Sequence, residues 1–447
     1  MLSSSSNESG SFRHVLRNHD YARLWTGQLV SNIGAAISSL ALLFYVYQLT
    51  QSPMAMAILA IVETAPVVMF AGFIGVYIDR WDRKTIMIVS DVVRAVLILL
   101  IPLAGFLSQI MPAIYWVYLF TFLYAIANAW FYPARNASIP NLVESEELVT
   151  ANSLSQMTFQ VVQLAVPPIG GVLVALLAPN YFLAFAINSL TYIISAIALL
   201  NIRTSLFPEG IPSEEESVSR QVLEGAKFVS GNIILLYLFV FAILLASSSG
   251  ILNALLLPHL ESQVGVTEME FGIVLSAGAA SGTLVAFLLG KKKRLPYPLY
   301  IVASSGFVAG IAVFGLASAQ TFCAIIFSWA LIGSVDVMIN IPLGTLMQEL
   351  VPDNYRGRIF ALLNVVFTAI QVLGMAIGGV WAEAIGSTVQ PLFAAAIALV
   401  LVSLLGIFAV AKARLHITLD IMLQDPESEK VARDEIESSE VLLEVKG

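Results

Sequence analysis

Charge is what this 447-residue chain lacks most: Asp, Glu, Lys and Arg together make up only 12% of it. A soluble domain carries roughly 25%, so there is too little polar surface here to face water on every side. Cysteine is nearly missing, and the single Cys323 excludes an intrachain disulfide. Four histidines and one cysteine form no ligand-spaced cluster, and no G-x-x-x-x-G-K-[ST] stretch occurs. Metal sites, resident cofactors and direct ATP hydrolysis are therefore disfavoured, and with them an enzyme. The opening residues, Met1 to Gly10, are polar and Ser-rich. They lack the basic start, short apolar core and small-residue cleavage site of a signal peptide, so the first apolar helix is expected to direct its own insertion. The net charge of -8 comes largely from Glu214, Glu215 and Glu216 and from a tail after Leu415. Both read as solvated segments, and no nucleic-acid partner is expected.

What the chain has in quantity is apolar sequence, 58% of its residues, with a mean hydropathy of +0.86. A membrane-spanning helix needs ~20 mostly apolar residues. On that criterion there are twelve spans, near 22–49, 54–78, 85–107, 114–136, 150–177, 181–202, 233–258, 271–290, 297–318, 322–346, 357–382 and 390–413. The cations then fall in alternate loops: Arg13, Arg17 and Arg23; Arg80, Arg83 and Lys84; Arg135; Arg203, Arg220 and Lys227; Lys291 to Arg294; Arg356 and Arg358; and Lys412 onward. Loops around Ser52, Ser108, Pro179, Glu261, Ala319 and Gly386 carry no Lys or Arg, and the one cation left outside this partition is Arg94, inside the third span. By the positive-inside rule both termini are expected in the cytoplasm. The expected class is an all-α membrane protein embedded in a lipid bilayer.

The two halves look like copies. Gly170-Gly171 aligns with Gly378-Gly379, and the same spacing carries Gln163 to Gln371, Phe159 to Phe367 and Val143 to Val351. Arg83-Lys84 has a degenerate partner in Lys293-Arg294, without a matching Asp. The expected organisation is a cytoplasmic segment (1–20), a six-helix bundle (21–202), a linker (203–232) with Pro208, Gly210 and Pro212, a second six-helix bundle (233–414) and an acidic tail (415–447).

The loop Gly75-Val-Tyr-Ile-Asp79-Arg80-Trp-Asp-Arg83-Lys84 has the spacing G-x-x-x-D-R-x-x-R-K. It resembles the loop between the second and third helices of the major facilitator superfamily of transporters. Leu24-Trp25-x-Gly27-Gln28, Pro133-Ala134-Arg135, Leu148-x-x-Ala151-Asn152-Ser153-Leu154 and Val351-Pro352-Asp353-x-x-Arg356-Gly357-Arg358 resemble the prokaryotic branch that holds macrolide-efflux proteins and the enterobactin exporter. The resemblance runs from about Phe12 to Leu415. It implies two parallel six-helix repeats with a substrate site between them at the midplane. It also implies a multi-pass protein of a prokaryotic inner membrane, acting as a monomer, that exports an amphipathic small molecule by proton antiport. An importer, a lipid-handling carrier and a sensor that moves nothing remain as alternatives. The chain departs from the branch at Ala35, where an acid is frequent, and at Val166, which replaces the first Gly of a G-P-x-x-G-G pattern. The fourth span also has no mid-membrane Arg.

Individual residues sharpen these expectations. By resemblance, Gly75, Asp79, Arg80, Arg83 and Lys84 form a conformational switch loop. Its cations can pair with carboxylates or lipid phosphates, or can merely enforce topology. Asp91 and Arg94, spaced i, i+3, can touch on one helical face, as part of that switch or as a clamp. Glu63 and Asp336 sit near mid-span, where an acid is a candidate for proton coupling or substrate charge, against the alternative of a protonated acid bonded to a neighbouring helix. Polar stripes recur at helical spacing: Gln28 and Asn32; Gln156, Gln160 and Gln163; Asn364 and Gln371. With Tyr124, Asn128 and Asn340 they are candidates to line a polar and aromatic cavity, or to join helices by hydrogen bonds.

Overall fold

The computed structural model describes residues 12–78, 80–144, 147–207, 233–290, 297–350 and 353–424. After a one-turn helix at Phe12–Val15 come twelve long helices: α1 His19–Thr50, α2 Pro53–Ile78, α3 Arg83–Leu103, α4 Ala113–Leu142, α5 Leu148–Leu177, α6 Phe182–Leu200, α7 Ile233–Val264, α8 Glu268–Gly290, α9 Pro298–Ala317, α10 Phe322–Leu350, α11 Asp353–Ile385 and α12 Val389–Gln424. Eleven have the length and hydropathy of a membrane crossing. The twelfth, α2, has Glu63 as its one charged residue. Several helices overrun the expected spans. α4 continues through Pro133 and Pro140 to Leu142, and α12 runs to Gln424, into the segment expected as tail. Apolar length marks only the part of a helix in the bilayer, whereas the backbone hydrogen bonds continue past its edge.

Local chemistry sets the turns. Asn18 caps α1, its side-chain oxygen accepting from the amides of Asp20 (3.0 Å) and Tyr21 (3.1 Å). Gln51 ends α1 in the left-handed region (φ 50°), and Pro53 then starts α2. Asp82 caps α3 through the amides of Lys84 and Thr85.

Packing repeats pair by pair. In the first half α3 lies against α4 and α6, α1 against α5 and α6, and α2 against α4. In the second half α9 lies against α10 and α12, α7 against α11 and α12, and α8 against α10. The halves meet along two equivalent seams, α2 on α11 and α5 on α8. Glycine makes both seams close. A Cβ on Gly272 would stand 2.2 Å from the Pro167 carbonyl oxygen, and one on Gly379 would stand 2.2 Å from the Ala57 Cβ. These contacts lie toward the ends opposite the basic loops. There Glu383 accepts hydrogen bonds from the Ser52 hydroxyl (2.8 Å) and the Met54 amide (3.4 Å), and the Tyr181 hydroxyl donates to Glu268 (3.2 Å). Phe44 meets Phe271 edge-on, ring centres 5.6 Å apart. The halves are thus joined at that end.

Candidate functional site

Four expected cavity residues converge inside the first bundle. Gln28 and Asn32 from α1 and Tyr124 and Asn128 from α4 border one small cavity of about 70 Å³. Arg94 from α3 borders it too, together with Ser31, Phe131, Tyr132 and Tyr192. A polar space of this size holds about two waters. Arg94 is almost fully buried (3% exposed). It donates to Asp91 on its own helix and to the Asn128 side-chain oxygen at 3.0 Å. Its guanidinium lies 4.0 Å from the Phe131 ring centre and 4.5 Å from that of Tyr192. A buried cation needs this combination of a carboxylate, an amide oxygen and aromatic faces. The Asp91–Arg94 pair therefore groups with the cavity residues.

Tyr192 is the residue that sequence reading missed. Its hydroxyl bonds that of Tyr124, and it sits on the polar face of α6 with Asn188, Ser189 and Ser195. Asn188 donates to Ser38 of α1 (2.6 Å) and Ser189 to the Ala95 carbonyl of α3 (2.8 Å). That polar stripe was available as a signal in the sequence, at the same three-and-four spacing as the stripes on α1 and α5.

The other candidates occupy different ground. Asp336 and Asn340 are both exposed on α10, one turn apart. The Asn340 amide donates to the Asp336 carboxylate at 2.9 Å and to its backbone carbonyl at 3.0 Å. On α5, Gln156, Gln160 and Gln163 are all exposed. Exposed amides and acids at this depth face a water-filled space or protein in preference to lipid chains. Glu63 is half-buried on α2, a helix that packs on both halves. Gln371 is half-buried on α11, and a Cβ on Gly250 would stand 2.1 Å from its carbonyl oxygen. The side chain of Asn364 lies outside the described residues.

The expected switch loop divides. Gly75 belongs to α2, and Asp79 lies outside the described residues, as do Lys291 to Arg294. Arg83 donates to the Ala137 carbonyl (2.7 Å) and the Asn141 side chain (3.0 Å), tying α3 to α4. Lys84 donates to the carbonyls of Leu200 (3.0 Å) and Ile202 (2.8 Å), neutralising the C-terminal end of α6. Arg80 is exposed.

A family model described as transmembrane secretion effector matches residues 11–435. The chain is 28% identical over 375 residues to an uncharacterised major-facilitator-type transporter of Bacillus subtilis, covering 81% of this chain and 87% of that one. It is 26% identical to macrolide efflux protein A of Streptococcus pyogenes (81% and 89% covered) and 27% identical to the enterobactin exporter of Citrobacter koseri (75% and 79%). Its fold is similar to that of a bacterial homologue of the iron transporter ferroportin in an inward-facing state, with a TM-score of 0.68 at 17% identity, covering 87% of this chain and 98% of that one. Twelve helices packed as two repeated bundles, and a family match over nearly the whole chain, lead to one conclusion: the protein is a multi-pass membrane transporter of the major facilitator superfamily, in its transmembrane secretion effector family.

Proposed function

We propose that the chain is an alternating-access exporter of amphipathic small molecules of the drug, macrolide or siderophore type, driven by proton antiport. The observation that carries this is an exposed polar set on helices of both halves: three glutamines on α5 and the Asp336–Asn340 pair on α10. Amides and a carboxylate presented by membrane helices suit a solvated path for a molecule with both polar and apolar faces. Export as the direction is supported by relatives named for efflux of a macrolide and of enterobactin. In this reading, Asp336, with Glu63 as second candidate, carries the coupling proton or meets substrate charge. Gln28, Asn32, Tyr124, Asn128, Gln156, Gln160, Gln163, Asn340, Asn364 and Gln371 contact substrate or water. Rocking of the 21–202 bundle against the 233–414 bundle, through the 203–232 linker, would alternate access. Gly75, Asp79, Arg80, Arg83 and Lys84, with Asp91 and Arg94 behind them, would steady one of the two states. The protein would act as a monomer in a prokaryotic inner membrane, with both termini cytoplasmic. The test uses inside-out membrane vesicles with an imposed proton gradient and a panel of a macrolide, a cationic dye and a catecholate siderophore. Gradient-driven uptake that disappears in Asp336→Asn supports the reading. Uptake that survives in that variant moves coupling to Glu63 or removes it, and no uptake over empty vesicles overturns export of this class.

A further inference from the structure

We propose that the groove between α3 and α4 is a binding site for one anionic phospholipid, with its phosphate at Arg80 and an acyl chain along α3. The groove encloses about 690 Å³ and is separate from the cavity around Arg94. Its floor is aliphatic: Val89, Val93 and Leu97 from α3, Leu123 and Ile126 from α4. From Thr85 to Leu97 the helix rises about 18 Å. One leaflet contributes about 15 Å of a hydrocarbon core some 30 Å thick. The groove therefore has the depth of a single leaflet and the lining that an acyl chain requires.

The mouth supplies the polar end. Trp81 and Trp130 stack there with ring centres 6.3 Å apart, and Tyr77 meets both, at 4.9 and 5.9 Å. Such an aromatic group marks the headgroup level of a bilayer. Arg80 borders the mouth. Of the three cations in this loop, Arg83 and Lys84 are occupied by protein carbonyls and an amide. The Arg80 guanidinium has no ion pair or side-chain hydrogen bond among the described residues and remains available to a phosphate. The nearby Asp82 does not oppose this. Its carboxylate accepts from the amides of Lys84 and Thr85 and from the Thr85 hydroxyl (2.6 Å), so its charge is held by the start of α3. A basic pocket between helices on the cation-rich side of the membrane is the setting in which anionic headgroups bind.

The test is photocrosslinking in vesicles with phosphatidylglycerol carrying a diazirine in its acyl chain, and with phosphatidylcholine carrying the same chain. Adducts are mapped by mass spectrometry. The expected result is denser labelling of Val89, Val93, Leu123 and Ile126 by phosphatidylglycerol than by phosphatidylcholine. Arg80→Gln should reduce that preference about fivefold, and Arg80→Lys should keep it. Ala127→Trp, which fills the groove, should remove adducts of both lipids from α3 and α4 while those on α9 at Ile311 and Phe314 persist, showing the protein still embedded. Equal labelling by the two lipids before substitution, or a preference that survives Arg80→Gln, overturns the proposal.

Discussion

Gly272→Ala is a small change with a large expected effect. The new methyl would stand 2.2 Å from the Pro167 carbonyl oxygen, and its neighbour across the same seam is as tight: a Cβ on Gly171 would stand 2.6 Å from the Glu268 carbonyl oxygen. Backbone atoms on both sides cannot rotate away, so α5 and α8 must part by roughly 1 Å to restore ordinary contact. Overpacking of this kind costs about 1–3 kcal/mol. The cost falls only on the state in which the halves meet at this end. If the halves rock, the variant shifts the population toward the opposite state by roughly 5- to 150-fold. Spin labels at Asn180 and Gln263, one on each half at that end, would report the separation by pulsed electron resonance. Cys323, which is exposed and would otherwise take label, is first changed to Ser. Gly105→Ala is the control, because nothing lies within 4 Å of the added carbon. A longer separation in Gly272→Ala and none in Gly105→Ala is expected. Identical distributions in both would refute the idea that this seam opens.

Other substitutions separate structural from transport roles. Arg94→Met leaves Asp91 buried without its cation and should cost about 3–5 kcal/mol, seen as a marked fall in melting temperature, with much of it recovered in Asp91→Asn/Arg94→Met. Lys84→Met should cost about 1 kcal/mol, because its bonds to the Leu200 and Ile202 carbonyls lie at a partly exposed helix end. Gln160→Leu and Gln163→Leu, exposed on α5, should leave melting unchanged while raising the KM for transported compounds in vesicle uptake. Glu383→Gln should weaken the contact with Ser52 and Met54, moving the same spin-label distance in the direction of Gly272→Ala but by less.

The helices were legible because membrane crossing imposes a length and a composition that survive in any apolar run. The repeat was legible in the paired glycines: Gly171 and Gly379 each stand at a seam between the halves, where a Cβ would collide at 2.6 and 2.2 Å, and Gly170 and Gly378 each pack on a helix of their own half. Gln28, Asn32, Tyr124 and Asn128 could be grouped as cavity candidates because helical spacing puts polar residues on one face. Spacing cannot say which face meets which, and so the sequence left Asp91 and Arg94 open between part of the switch and a clamp, and could not mark the contacts of Arg94 with α4 and α6. The same limit applied to Arg83 and Lys84. Their partners are carbonyls of Ala137, Leu200 and Ile202, which every residue possesses and no sequence pattern marks.

The central claim is coupling of substrate movement to protons, and purified protein in liposomes tests it most directly. With a pH-sensitive dye trapped inside and no membrane potential, an imposed gradient of a compound from the panel should drive protons in the opposite direction, in proportion to the compound moved. Asp336→Asn should move no protons. Substrate flux with a silent dye in the unsubstituted protein would contradict proton antiport.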